Sequence, residues 1–265
     1  MLCALITGGT SGIGAAFAQA LASEGYDLVL VARDEERLAE CAARLRQEHG
    51  VHVEVLAADL SDRDDVTRVA VRLEDSERPV DMLINNAGFG IHAPLTAVDT
   101  TRHEQAIDVM VRAVLVLGGA AGRAMRSRGR GTIINVSSVA GYITMGGYSA
   151  IKSWVTTYSE SLAVELRGTG VQVTALMPGW VRTEFHERAG IGVSSIPASL
   201  WIDVDHLVAV ALKDARRGKV LSTPTLRFWV LQSLCRHLPR TTIRWVSGKM
   251  SSSRRSGSSV ESAQV

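Results

Sequence analysis

Short apolar runs and amphipathic stretches alternate along most of the chain. Leu2 to Ile6 and Tyr26 to Ala32 are predominantly apolar, as strands buried on both faces of a parallel sheet must be. Val51 to Ala57 alternates and reads as a third strand. Val80 to Ile84, Thr132 to Val136 and Val171 to Met177 read as the fourth to sixth, and Val220 to Ser222 as a seventh at the edge. Between them the period changes to that of a helix. An alanine-rich helix runs from Ala15 to about Ser23 and ends at Gly25. Asp34 to His49 turns Leu38, Cys41, Ala42 and Leu45 inward and stops at Gly50. Asp62 to Glu74 is a third helix. Thr101 to Met125 is a long fourth, apolar nearly all round through Val109–Val111 and Ala113–Leu117, as a helix buried against a sheet and a second subunit would be. Tyr148 to Arg167 and Asp203 to Arg217 complete the set, with Trp154, Tyr158, Leu162 and Leu166 buried or at an interface.

Composition changes this picture little. The 265 residues are 46% hydrophobic and 21% charged, and their number suits one large α/β domain or two small ones. A net charge of +2 argues for neither nucleic acid nor membrane as a partner, although basic residues crowd the C-terminal third. Cys3, Cys41 and Cys235 lie far apart, without metal-ligand spacing, and read as reduced thiols. Met1 to Ile6 is too short for the apolar core of a signal peptide, and no run reaches the ~18 apolar residues of a membrane span. The chain therefore reads as a soluble, cytoplasmic protein that needs no metal.

Two stretches carry candidate chemistry. The first strand runs into Thr7-Gly8-Gly9-Thr10-Ser11-Gly12-Ile13-Gly14 and then a helix. Strand, glycine turn and helix together let backbone N–H groups reach a pyrophosphate at the helix N-terminus, so Gly8, Thr10, Ser11, Gly12, Ile13 and Gly14 are candidate cofactor contacts. The second stretch holds Ser138, Tyr148 and Lys152. Tyr148 and Lys152 stand four apart, on one face of a helix opening near Gly147. An ammonium beside a phenol favours the phenolate, so the pair is read as a proton donor and acceptor near neutral pH, with Ser138 holding a substrate oxygen. A surface Tyr-x-x-x-Lys is also common by chance, and the other motifs lift it above that level.

The spacing G-x-x-x-G-x-G, followed by Ser138 and Tyr148-x-x-x-Lys152, resembles the short-chain dehydrogenase/reductase family. The resemblance runs from about residue 1 to 183 and more weakly to the low 220s. It implies a single-domain Rossmann-type doubly wound sheet of about seven strands, a nicotinamide cofactor and hydride transfer at a carbonyl or alcohol carbon. It also implies Ser138, Tyr148 and Lys152 as catalytic residues, with the last two contacting the cofactor. Asp59 and Leu60 would sit by the adenine, and Asn86, Ala87 and Gly88 of the N-N-A-G run would pass close to the cofactor. Pro178, Gly179, Val181 and Thr183 would hold the nicotinamide carboxamide. Arg33 lies nineteen residues past Gly14 where a ribose-binding carboxylate would repel a 2′-phosphate, so the cofactor reads as NADP(H). Asp59 also reads as a helix cap with Ser61 and Asp62.

Two departures qualify the resemblance. Met110 stands where the family usually carries an asparagine that shapes a proton path to the lysine, and a thioether cannot donate. Ten positions separate Ser138 from Tyr148, a few fewer than usual, which alters the wall formed by 142–146. They leave open a second reading, a catalytically weak cofactor-bound sensor or scaffold of the same fold. Domain 1–223 would include a lid at about 184–202, where Trp180, Phe185, Ile191, Ile196 and Trp201 line an apolar pocket for a small hydrophobic carbonyl or alcohol. His92 and His103 have no ligand partners at useful spacing and read as solvated side chains. The long helix implies a homodimer or homotetramer. Residues 224–250 form an amphipathic, basic extension whose first expected role is to cover a pocket or partner subunit and whose lesser one is peripheral membrane contact. The serine-rich 251–265 reads as disordered.

Overall fold

The computed structural model describes residues 1–91, 93–181 and 200–248. Seven parallel strands form one sheet: β1 (Cys3–Thr7), β2 (Asp27–Ala32), β3 (Val53–Ala57), β4 (Met82–Asn85), β5 (Gly131–Val136), β6 (Val171–Leu176) and, past a small accessory pair, β9 (Leu221–Ser222). Their spatial order is β3-β2-β1-β4-β5-β6-β9, so the chain winds outward in both directions from β1 and β4. That reversal opens a crevice at the carboxyl ends of the strands, where ligands bind in such sheets. The expected seven-stranded doubly wound fold is what the structure contains.

Strand side chains alternate between two apolar layers. Ala4, Ile6, Leu28, Leu30 and Ile134 face α1 (Gly12–Ser23), α2 (Glu35–His49) and α7 (Val204–Arg216). Leu5, Val29, Val31 and Ile133 face α3 (Arg63–Glu74), α5 (Ala113–Arg128) and α6 (Gly146–Glu165). Because both faces are covered, the strands need no polar side, and that is why they read as unbroken apolar runs. Asp34, Asp62 and Asp203 cap α2, α3 and α7 by accepting first-turn N–H groups.

Three expectations change in detail. The first helix begins at Gly12, inside the glycine turn, three residues earlier than read. The long fourth helix is not a uniform α-helix. α4 (Thr101–Ile107) and α5 are joined by a π-helical turn, Asp108–Arg112, around buried Met110. The continuous helix Thr101–Arg128 is long and apolar enough to cross a membrane by length and composition, contrary to the reading that no stretch qualifies. Half of its most apolar window is nevertheless buried in protein, with Ala113, Leu117 and Ala121 packed on the sheet.

The short pair β7 (Trp180–Val181) and β8 (Trp201–Ile202) flanks the expected lid. Phe185, Ile191 and Ile196, with the rest of 182–199, lie outside the described residues, as do His92 and 249–265. After β9 comes α8 (Leu226–His237), then a further helical stretch at 240–248.

A buried polar chain ties α6 to the sheet centre. Asn85 Nδ2 donates to Asn135 Oδ1, and Asn135 Nδ2 donates to Ser159 Oγ, each at 2.9 Å. Ser159 Oγ then donates to Val155 O at 2.7 Å. Removing the middle member leaves the buried Asn85 amide without its acceptor and takes one of the two bonds of Ser159. Asn135→Ala is expected to lower urea-unfolding stability by roughly 2–3 kcal/mol at an unchanged m-value. A loss below about 0.5 kcal/mol would show that the chain does not fasten the helix.

Candidate active site

β1, β4, β5 and β6 end at Thr7, Asn85, Val136 and Leu176, and every predicted site residue among those described follows one of these ends, that of β2 or β3, or the start of α6. Gly8 turns the chain at φ +66°, and α1 starts at once behind it. A Cβ on Gly14 would lie 2.1 Å from Gly8 O, so no side chain fits there. Thr7 and Asn86 bind the turn to the next strand end. Thr7 Oγ1 accepts from the N–H groups of Asn86 (2.9 Å) and Ala87 (3.1 Å), while Asn86 Nδ2 donates to Thr7 O (2.9 Å) and Gly8 O (3.2 Å). Gly88 faces Met110, whose sulfur would lie 2.9 Å from a Cβ there.

The first turn of α1 differs from those of α2, α3 and α7. Ser11 makes no side-chain cap bond, and no acidic residue occupies the turn. Its N–H groups, with the positive end of the helix dipole, suit an anion bracketed by Thr10, Ser11, Gly12 and Ile13. Arg33 is exposed one residue beyond β2, at the same edge of the sheet. Asp59 follows β3, and its carboxylate accepts from Ser61 N (2.9 Å) and Ser61 Oγ (2.7 Å). The cap of α3 is Asp62, so Asp59 shapes the loop before buried Leu60 and does not cap the helix.

Ser138 opens a short 3-10 turn, Val139–Tyr142, in extended conformation. Its Oγ accepts from Ala140 N at 3.1 Å and donates weakly to Pro178 O at 3.4 Å. It is also hydrogen-bonded to the phenol of Tyr148, in the first turn of α6. The shortened loop therefore still brings serine and tyrosine together. Lys152, one turn on and 5% exposed, donates from Nζ to Val136 O at 2.8 Å and lies 5.6 Å from the centre of the Tyr148 ring. Ser137 holds this turn in place: its Oγ donates to Lys152 O at 2.7 Å and shares a 2.7 Å bond with Thr156 Oγ1.

The electrostatics correct one expectation. Burial pushes the Tyr148 phenol up to about 12, and the Ser138 hydroxyl only partly offsets this. Burial pushes the Lys152 ammonium down to about 8. In this state burial of the phenol outweighs any pull from the lysine, whose Nζ is turned to the Val136 carbonyl. Tyr148 is a neutral acid at pH 7, and Lys152 is still mostly charged. Met110 lies buried in the π-helical turn with Ala106 and Ile151, and partly buried Tyr148 packs on them. It gives the lysine no polar side-chain link. π-helical turns often mark functional positions, and here one sits directly behind the tyrosine.

On the far wall, Pro178 O accepts from Val139 N at 3.1 Å, and Gly179 lies flat against the Phe228 ring, 2.2 Å from where its Cβ would be. Val181 is buried in β7. Trp180 and Trp201 meet edge-to-face at 6.4 Å, beside the expected lid. Thr183 lies outside the described residues. His103 is a fastening side chain, its Nε2 3.1 Å from Pro94 O.

Sequence reading missed several groups that build the site. Thr7, Ser137 and Thr156 position the turn and the lysine; their signal was a hydroxyl beside each motif. Tyr142 and Gln232 close the wall. Gln232 Nε2 donates to Tyr142 Oη at 3.2 Å, and Thr223 Oγ1 donates to Gln232 Oε1. No local signal links residues ninety apart.

Comparison with known proteins agrees with this geometry. The short chain dehydrogenase family profile matches residues 2–191. A gluconate 5-dehydrogenase of Gluconobacter oxydans is 32% identical over 219 residues, 79% of this chain and 85% of that protein. A short-chain dehydrogenase from Sphingobium yanoikuyae, solved in complex with NADPH, superposes with a TM-score of 0.81 at 37% identity, covering 91% of this chain and 97% of that one. A bulky-bulky ketone specific alcohol dehydrogenase from Comamonas testosteroni gives 0.77 at 31% identity, over 91% and 96%. A glycine turn that admits no side chain, an uncapped helix behind it, and a serine, tyrosine and lysine gathered at the strand ends thus occur in a chain that belongs to the short-chain dehydrogenase family, oxidoreductases that use nicotinamide cofactors.

Proposed function

We propose that the protein is a cytoplasmic NADP(H)-dependent carbonyl reductase or alcohol dehydrogenase acting on a hydrophobic ketone, aldehyde or secondary alcohol. The observation that carries this reading is the hydrogen-bonded Ser138–Tyr148 pair with Lys152 buried behind it, at the carboxyl end of β5. The cradle fits a dinucleotide. Gly14 leaves no room for a side chain, and the uncapped first turn of α1 suits a pyrophosphate. Arg33, exposed beyond β2 with uncharged Ala32 before it, suits a 2′-phosphate. Asn86–Gly88 and Pro178–Val181 would flank the nicotinamide half.

When bound, the nicotinamide supplies or accepts the hydride at the substrate carbon. In reduction, Ser138 Oγ holds the carbonyl oxygen, and Tyr148 gives its proton to that oxygen as charge develops there. Lys152 then offers a charge to the phenolate left behind. Its Nζ need only turn from Val136 O towards the ring, 5.6 Å away. Apolar walls including Trp180 and Trp201 keep water from the reacting carbon and favour an oily substrate. Leu115 and Val116 on α5, and the stacked Trp154–Tyr158 pair on α6 (4.9 Å), leave an apolar outer face suited to a homodimer or homotetramer.

One observation favours the second reading, a weakly catalytic sensor. Met110 gives Lys152 no polar link, and the lysine is engaged by a backbone carbonyl. Turnover separates the two. Tyr148→Phe is expected to lower kcat by at least about a thousandfold with a panel of apolar ketones and leave NADPH affinity within about threefold. Wild-type protein that binds NADPH but oxidises it with no carbonyl in the panel would favour the sensor. Arg33→Asp is expected to move the NADPH-to-NADH preference by about a hundredfold towards NADH, through lost attraction and new repulsion. An unchanged ratio in paired cofactor titrations would remove Arg33 from the phosphate site.

The buried ammonium also sets a pH dependence. Lys152 titrates at about 8 folded against 10.5 unfolded, so the unfolded chain binds more protons between those values. Its penalty is full below pH 8 and fades as pH rises to about 10.5. Lys152→Met is expected to stabilise the cofactor-free protein at pH 7 by roughly 1–2 kcal/mol, the desolvation relief less the lost Val136 bond. The gain should shrink towards pH 10 in urea unfolding. A destabilised variant at pH 7 would show that the ammonium is well solvated.

A further inference from the structure

The C-terminal helices keep an apolar face that no described residue covers. α8 packs inward through Phe228, against Gly179, and through Gln232, against Tyr142. Leu226, Val230, Leu234 and Leu238 recur every four residues and so share one face, turned away from that contact. They are 75%, 43%, 54% and 43% exposed. Trp229 (51%) flanks this stripe, and Trp245 (62%) projects from the helical stretch 240–248, which is fastened by buried Ile243 and by Thr144 N donating to Ser247 Oγ at 3.2 Å.

The charge around this face is one-sided. Residues 220–265 carry seven of the 29 Lys and Arg but one of the 27 acidic residues, Glu261. Residues 1–219 therefore carry a net negative charge, and the tail a positive one. Arg227 lies on the apolar stripe, Arg236 borders it on the side of Gln232, Arg240 and Arg244 lie on the 240–248 stretch, and all four are exposed. A second copy seated on the same patch would face arginine with arginine, since a two-fold interface is self-complementary and no carboxylate lies between 220 and 248 to pair them. A bilayer with anionic headgroups matches both properties, taking the aliphatic side chains and tryptophans into its interface and the arginines onto its phosphates.

We propose that α8 and the 240–248 helix form a docking surface for anionic membranes. The surface adjoins the site wall, because the opposite side of α8 packs on Gly179 and on the turn that follows Ser138. A molecule leaving the bilayer would therefore enter next to the reacting groups. The proposal stands on the surface itself and is read out without turnover, so its failure leaves the enzymatic reading intact.

The test is co-sedimentation of the full chain with phosphatidylcholine vesicles, with and without phosphatidylglycerol, alongside tryptophan fluorescence. Binding to the anionic vesicles is expected to exceed that to phosphatidylcholine by at least about tenfold, to weaken in high salt and to blue-shift the emission. Val230→Ser with Leu234→Ser, and separately Arg227→Gln with Arg236→Gln, should each cut binding by about tenfold or more while the thermal unfolding transition stays in place. The proposal is overturned if the wild type ignores anionic vesicles, or if both variants bind as well as it does. It is overturned equally if light scattering finds a dimer that the Val230/Leu234 variant dissociates and no vesicle binding accompanies it.

Discussion

A charged amine buried behind a phenol is the constraint that the rest of the site serves. Lys152 keeps one strong polar contact through its head group, the Val136 carbonyl at 2.8 Å. That carbonyl is the last of β5, so the lysine is registered to the sheet end and not merely to its own helix. Ser137, the next residue, grips the backbone of the same helical turn through Lys152 O. One strand end thus fixes the lysine and, through Ser138, the hydroxyl beside the tyrosine. An ammonium this dry weakens the free fold, as expected of a group whose place is set by something other than stability.

The cofactor side follows from the same sheet end. β1 delivers the glycine turn and β4 delivers Asn86, and the two are stitched together through Thr7. Gly14 cannot carry a side chain because Gly8 O occupies that space. α1 starts without a side-chain cap bond and Arg33 is exposed beyond β2, whereas Asp34, Asp62 and Asp203 cap α2, α3 and α7. What distinguishes the start of α1 is the glycine turn that precedes it at the carboxyl end of β1.

Much of this was legible in the residue pattern. Strands covered on both faces leave unbroken apolar runs, and a glycine turn between strand and helix is a strong mark of a phosphate cradle. The Ser138, Tyr148 and Lys152 spacing survived even a shortened loop, because helix geometry alone sets the last two. What stayed hidden depended on register or burial. The π-helical turn at Met110 adds no change in apolar periodicity that a sequence would betray. Contacts such as Asn135 to Ser159, or Gln232 to Tyr142, join positions that only the fold brings together. The sign of the tyrosine shift was misread for the same reason: the lysine's nearest acceptor is a backbone carbonyl, and desolvation outweighs a cation held off the phenol.

The direct measurement is a carbon-13 NMR titration of ring-labelled tyrosine, with Tyr148 assigned by its loss in the Tyr148→Phe protein, without cofactor and with NADP+. Tyr148 is expected to stay neutral through pH 10 in the free protein, in keeping with a value of about 12. A fall of at least about one unit is expected when the positively charged nicotinamide is bound, since a nearby cation favours the phenolate. An ordinary value near ~10 in the free protein that does not move on cofactor addition would contradict it.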